Sequence, residues 1–333
     1  MKRWMILVAI AVALPLYCCF LYVLYTNNAA SQPLATEPSA EVMAVATVPA
    51  TVETTVFTTQ ETTTVETTAP PQIPVLSARH AFVYNCQQET LLYALTDMNT
   101  QVAPASLTKL FTAYVVLQYL DPEDIVHVGE EVTWIDPHSS IASVWQGSEV
   151  TVKMLIQGMI MQSGNDAAYA AAVAAGRIIA GTPEISAREA LDAFMQEMNR
   201  QAQVQGLSGS HFITPDGLDA EEHYTTPADL IRISCLSLQI PLIQEYASVK
   251  QDYVMFESGQ DYVYQNTNWL LDPQSEYFCE AAIGLKTGTT SKAGNCLLAL
   301  FTCDEGTLLI GVLGCPSYMH RFQDALALYH AFS

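Results

Sequence analysis

Basic residues are scarce in this chain. Its 333 residues hold 13 Lys and Arg against 34 Asp and Glu, a net charge of −21. That shortage excludes a nucleic-acid partner, because neutralising phosphates takes a surplus of Lys and Arg. It also excludes docking on anionic lipid through a basic face. Metal-ligand spacing is missing too. The seven histidines contain no His-Glu-x-x-His or similar pair, and the eight cysteines contain no Cys-x-x-Cys, so neither a zinc peptidase nor a cysteine-held metal is indicated. No metal and no cofactor is expected. Cys86, Cys235, Cys279, Cys296, Cys303 and Cys315 fall in the globular part, where free thiols and disulfides both remain open.

Long apolar runs are absent with one exception. Lys2 and Arg3 precede an uncharged stretch from Trp4 to Tyr25, long enough to span a bilayer as a helix. Asn27-Asn28-Ala29-Ala30 matches a cleavage site poorly. Residues 1–28 are therefore expected to be a membrane anchor, basic end inside, or failing that a cleaved signal segment. The remainder would be exported: anchored at the membrane, or secreted if cleaved. Cys18 and Cys19 hint at a lipoprotein, but Tyr17 is too bulky for the position before a lipidated cysteine. Between Arg3 and Arg79 there is no Lys or Arg, and Thr, Val, Pro, Ala and Glu dominate, as in Thr62-Thr63-Thr64-Val65-Glu66-Thr67-Thr68. Without periodicity or bulky apolar surface, residues 29–76 are expected to be a disordered stalk. Extended, it would reach on the order of 100 Å.

Residues 77–333 read as one catalytic domain. His80 to Asn85 and Leu91 to Leu95 have strand composition around a polar turn. An apolar-periodic run from Leu110 to Leu120 predicts a helix, as do Val150 to Met161, Asn165 to Ala180, Glu184 to Gln205 and Arg321 to His330. Thr226-Pro227 with Asp229 is a helix start. Tyr253 to Gln265 alternates as strands do, while Cys296 to Thr302 and Leu308 to Leu313 are apolar runs of strand length. Strands at both ends with helices between predict one sheet assembled from both ends of the domain.

Three short motifs carry chemistry. Ser106-Leu107-Thr108-Lys109 sets a hydroxyl and an amine on one helix face. A serine becomes a nucleophile when a base takes its proton, and a lysine serves as that base when burial or a nearby cation lowers its pKa. The alternative is an N-cap serine with a solvated lysine. Ser163-Gly164-Asn165 presents two polar side chains, or simply ends a helix. Lys286-Thr287-Gly288 followed by Thr289 suits a strand lining a cleft, with Gly288 admitting a close backbone approach; a hairpin turn would not explain the lysine. Three motifs in this order are a strong signal for acyl transfer.

With Pro104-Ala105 before Ser106, Asp166-Ala167-Ala168 after Asn165, His223 to Leu230, Asn266-Thr267-Asn268 and Gly284 to Ser291, the chain resembles the low-molecular-mass penicillin-binding proteins of the serine D-Ala-D-Ala carboxypeptidase family. The resemblance implies an α+β fold, an antiparallel sheet packed with a helical subdomain. It implies Ser106 as nucleophile, Lys109 as base with Lys286 as the neighbouring cation, and Ser163 as a proton relay to the leaving amine. Asn165, Lys286, Thr287, Gly288, Thr289 and Arg321 would bind substrate, with the N–H groups of Ser106 and Thr289 as oxyanion hole. Many members carry His at the position of Thr289. Arg321 would face the substrate carboxylate, or else be a solvated helix residue. The implied substrate is a peptidoglycan stem peptide ending in D-Ala-D-Ala, with β-lactams as inhibitors. Many members add a second β domain and a C-terminal amphipathic anchor; here the N-terminal segment is expected to anchor instead. A class A-like β-lactamase is one alternative, though Gly164 replaces the usual Asp and only Glu184 and Glu189, read as helix residues, approach the position of its glutamate. A non-catalytic penicillin-recognising wall module is the other.

Overall fold

The structure is a computed structural model and describes residues 72–333. The expected anchor, 1–28, and all but the last residues of the expected stalk, 29–76, lie outside the described residues. Among the described residues no helix is long and apolar enough to cross a membrane. The chain enters the fold at Ser77 and Ala78, whose N–H groups donate to Asp324 Oδ2 at 2.9 and 2.7 Å.

Strands β1 (His80–Asn85) and β2 (Thr90–Ala94) form the first hairpin, and a 3-10 turn at Ala105–Leu107 leads into α1 (Thr108–Val116). Helix α1 is buried on nearly every side, which is why its sequence shows little amphipathic contrast. It stops at Val116, short of the expected Leu120. The chain continues through turns to Asp121, whose conformation is restricted by the following Pro122. A short hairpin follows, β3 (Ile125–His127) with β4 (Glu149–Thr151), three residues each and without a readable period. Then come α2 (Val152–Met161), α3 (Asn165–Ala180) and α4 (Ala187–Val204). Helix α4 begins at a capping box, Ser186 with Glu189, which leaves Glu184 in the preceding turn rather than in the helix. Alanine-rich α3 allows α4 close: a Cβ on Gly176 would stand 1.9 Å from Ala190 O.

Helix α5 (Pro227–Ser237) starts as Thr226-Pro227 predicts, with Thr226 accepting from Asp229 N, and α6 (Pro241–Ser248) repeats the proline start. The β5 (Gln251–Met255) and β6 (Asp261–Gln265) hairpin precedes β7 (Ala282–Thr290), β8 (Gly294–Cys303), β9 (Gly306–Cys315) and α7 (His320–Phe332). The main sheet is antiparallel in the order β2-β1-β9-β8-β7, so both ends of the domain supply it and β7, which carries Lys286, is an edge.

Both faces of the sheet are covered. On β8, Cys296, Leu298 and Leu300 join the core shared with the helical subdomain, while Leu297, Ala299 and Phe301 join the core beneath α7. A strand buried on both faces reads as a continuous apolar run. Gly311 on β9 is required by this packing, since a Cβ there would stand 2.2 Å from the Phe82 ring. All six described cysteines are free thiols.

Candidate active site

The Pro104-Ala105-Ser106 turn is held in a costly conformation. Ala105 has φ +50° and is fully buried, and a non-glycine residue at positive φ costs about 1–3 kcal/mol unless its surroundings enforce it. The enforcing element is the loop Thr214 to Asp219. A Cβ on Gly217 would lie 1.9 Å from Ala105 O and 2.7 Å from Thr108 Oγ1, so only glycine lets the loop pack there. Thr112 Oγ1 donates to Pro215 O at 2.7 Å and fastens the loop to α1. His223 braces the same loop. Its Nδ1 accepts from Ile213 N and Thr214 N at 3.2 and 3.3 Å, so the proton sits on Nε2, which donates to Thr108 Oγ1 at 3.2 Å. Burial lowers its pKa to about 4 and keeps the ring neutral.

Lys109 comes one helical turn after Ser106 and is completely buried. Its Nζ lies 2.9 Å from Ser106 Oγ, 2.7 Å from Asn165 Oδ1 and 2.7 Å from Asp216 O. Two of these partners can only accept. They take two N–H bonds, and the third position faces a hydroxyl that can donate. A neutral amine fits this arrangement with its lone pair on Ser106. Burial lowers the pKa to about 8, against the pull of Asp216 and Asp166, which raise it. Burial is the main cause of Lys109's shift, and the mutual repulsion of the two buried lysines adds to the lowering at Lys286.

The second motif lies in the turn between α2 and α3. Ser163 has φ +58°, and a Cβ on Gly164 would collide with Ala142 N at 2.8 Å. Asn165 spends Oδ1 on Lys109 and donates from Nδ2 to Ser139 Oγ at 2.8 Å. Asp166 accepts from Ala142 N, Val144 N and Ala167 N at 2.8 to 3.0 Å, which pins the loop carrying Ser139 and Ser140 across the cleft. Burial still raises its pKa. Ser163 does not bridge to Lys109: its hydroxyl bonds to no described residue.

Strand β7 closes the other wall. A Cβ on Gly288 would stand 3.0 Å from Ser106 N, so this glycine sets the approach of the strand to Ser106. Lys286 is buried and donates only to Thr287 O, at 3.1 Å. Its pKa is pushed well down by burial, then by Lys109 and Arg321. Thr287 shares a hydrogen bond with Thr267 at 2.6 Å, so its hydroxyl is already engaged. Thr289 Oγ1 donates to Asn295 Oδ1 at 3.2 Å and accepts from Arg321 Nη1 at 3.1 Å. Arg321 is not a solvated helix residue. It is buried, stacks 3.8 Å over the Tyr318 ring, and leaves Nε without a partner. Among the described residues neither Lys286 nor Arg321 has a carboxylate in salt-bridge range.

The three motifs thus meet around a cleft of about 510 Å³ bordered by Ser106, Ser139, Asn165, Asp216, Gly217 and Thr289. Sequence reading missed Asp216, Gly217 and Ser139, and named Asp166 and His223 only as parts of motifs, without a role. Pro215-Asp216-Gly217 carries a turn signal, but nothing local ties that turn to a serine more than 100 residues earlier. No glutamate is among the residues lining the cleft, and Glu189 is occupied by its capping box.

The chain is similar to known proteins in sequence and in fold. The family model described as D-alanyl-D-alanine carboxypeptidase matches residues 64–317. The D-alanyl-D-alanine carboxypeptidase DacA of Escherichia coli is 32% identical over 240 residues, 68% of this chain and 54% of that protein. DacF of Bacillus subtilis is 30% identical over 207 residues, 61% of this chain and 49% of its own length. The chain therefore spans about half the length of these curated relatives. The crystal structure of the Streptomyces K15 DD-transpeptidase superposes with a TM-score of 0.69 at 27% identity, covering 78% of this chain and 98% of that one. With its fold, its three motifs and the family model in agreement, the chain belongs to the S11 family of D-alanyl-D-alanine carboxypeptidases, the low-molecular-mass penicillin-binding proteins.

Proposed function

We propose that this chain is a serine D-alanyl-D-alanine carboxypeptidase that removes the terminal D-Ala from peptidoglycan pentapeptides. Supporting it above all is Lys109 Nζ, 2.9 Å from Ser106 Oγ with its other positions filled by two acceptors. Lys109 takes the Ser106 proton as Oγ attacks the carbonyl between the two D-Ala residues. The oxyanion forms beside the N–H of Ser106, a donor at a helix start, and of Thr289. Lys286 and Arg321 supply an anion site for the substrate's terminal carboxylate, and a guanidinium suits that geometry. Ser163 passes the proton from Lys109 to the departing amine as the C–N bond breaks. Asn165 exchanges its bond to Ser139 for the substrate amide. Water then cleaves the Ser106 ester. β-Lactams, which mimic the substrate, acylate the same oxygen.

Residues 1–28 act as anchor or signal, and residues 29–76 as a stalk that extends domain 77–333 toward the wall. The lack of a glutamate along the cleft argues against rapid β-lactam hydrolysis of the class A kind. The test is D-Ala release from a pentapeptide ending in D-Ala-D-Ala, with intact-mass measurement after penicillin, on the full chain and its Ser106→Ala variant. Release of D-Ala and a persistent adduct, both lost in the variant, are expected. Rapid penicillin destruction without an adduct would point to a β-lactamase, and no reaction at all to a non-catalytic module. Transfer of the acyl group to an added amine rather than to water would mark a transpeptidase.

A further inference from the structure

Two carboxylates influence Lys109, and they differ in what else they do. Asp166 on α3 is fully engaged by three backbone N–H groups. Asp216 is not. It is 1% exposed, Oδ1 accepts from Leu218 N at 3.0 Å, and Oδ2 has no partner. Its own carbonyl oxygen takes a hydrogen bond from Lys109 Nζ at 2.7 Å. The covalent frame of one residue keeps its carboxylate within roughly 5 Å of that oxygen. An unsatisfied buried carboxylate oxygen is expensive and calls for an explanation.

We propose that Asp216 is the counter-ion of the ammonium that Lys109 becomes during acylation, a positioning residue that acts through the base. The proposal rests on the carboxypeptidase reading given above. In that step the Ser106 O–H bond breaks, an N–H bond forms on Nζ, and Oγ bonds to the substrate carbonyl. One positive charge appears in a buried site. Repulsion reaches it from Lys286 on β7, next to Arg321 on α7. Tyr169 and Asp166 on α3 and neutral His223 face the same site, and Asp136, His138 and Asp219 line the cleft beside Asp216, with both Asp219 oxygens already bonded to Thr290 and Lys292. Asp216, at the tip of the Pro215-Asp216-Gly217 turn, is the negative group with bonding capacity left. The direction of the electrostatics agrees: Asp216 is the larger of the two influences that raise the lysine's proton affinity against burial. The same turn presses Gly217 on Ala105 O, so one loop both shapes the nucleophile's backbone and balances the base's charge.

The test is the pH dependence of penicillin acylation, as a second-order rate constant, for the full chain, Asp216→Asn and Asp216→Ser. Asparagine keeps an acceptor for Leu218 N and removes the charge; serine does so with less bulk, and carries the comparison should asparagine disturb folding. Thermal unfolding of each is followed alongside. Without the negative charge the ammonium is less stable, so the midpoint of the base limb should move to lower pH, by about one unit. The plateau above it should fall as the base weakens. A merely structural role would lower the rate at every pH and leave the midpoint in place. Coincident midpoints in an acylated wild type and acylated variants would overturn the Asp216 proposal alone. A wild-type chain that penicillin never acylates would overturn the carboxypeptidase reading and this proposal together.

Discussion

Lys109 and Lys286 are both completely buried, and they sit in opposite surroundings. Lys109 has three oxygen partners and two nearby carboxylates. Lys286 has one carbonyl at 3.1 Å and two cations. A lysine enclosed by acceptors can hand a proton back and forth while its charge is balanced in either state. A lysine enclosed by cations is poised for an anion that the described residues do not supply. The difference teaches that burial alone does not define a lysine's role; the sign of what surrounds it does.

The comparison can be broken most sharply at the base. Lys109→Met should lower the rate of penicillin acylation about 10³-fold, the range for loss of a general base, measured by intact-mass time courses. An acylation rate unchanged in that variant would remove Lys109 from the mechanism. At the other lysine, Lys286→Met should raise KM for a D-Ala-D-Ala peptide roughly 30-fold, as expected for loss of a charge-assisted contact worth about 2 kcal/mol. Its kcat should change less, and steady-state kinetics separates the two. Gly288→Ala bears on the wall between them. Its Cβ would sit 3.0 Å from Ser106 N, and displacement of the oxyanion donors should cost on the order of 10-fold to 100-fold in acylation of peptide and penicillin alike.

Smaller in size, but sharper in what they distinguish, are pH and stability. Lys109 must be neutral to act as base, and its pKa is about 8. Acylation by the wild type should therefore rise with pH below about 8 and level off above it. Lys286 is held well below its ordinary value, so the unfolded chain binds the extra proton at pH values between the two. Stability should then rise with pH through that range, and Lys286→Met should stabilise the fold by roughly 1–2 kcal/mol while impairing function. A calorimetric midpoint lowered by that substitution would show that Lys286 is satisfied in the free enzyme, contrary to the contrast drawn with Lys109.

Much of the site was legible because its signals are local. Ser106 and Lys109 meet at 2.9 Å since residues three apart share a helix face, even though the serine itself lies in the 3-10 turn before α1. The helix start at Thr226 was readable from its cap, whereas the helix that begins after Ser186 was placed from Glu184, ahead of its capping box. The limits of α1 were not, because a helix buried on all sides carries no amphipathic mark. Arg321 was left between two readings, facing a carboxylate or solvated at the head of a helix, and burial against Tyr318 and β7 rules out the solvated one.

The sequence by itself singled out Ser106, Lys109 and Gly288 as the candidates for nucleophile, base and cleft glycine, since each stands out by residue type at short spacing. It also predicted that both ends of the domain would meet in one sheet, because strand-like runs at both ends flank a mainly helical middle. Tertiary structure alone decided that Lys109's proton affinity follows from burial and from Asp216, that Gly217 packs on Ala105 at positive φ, and that Arg321 and Lys286 lie inside without an anion among the described residues. Those outcomes depend on contacts between segments tens to hundreds of residues apart. Desolvation and charge pairing act through space, and no local pattern along the chain records which groups will share a buried volume.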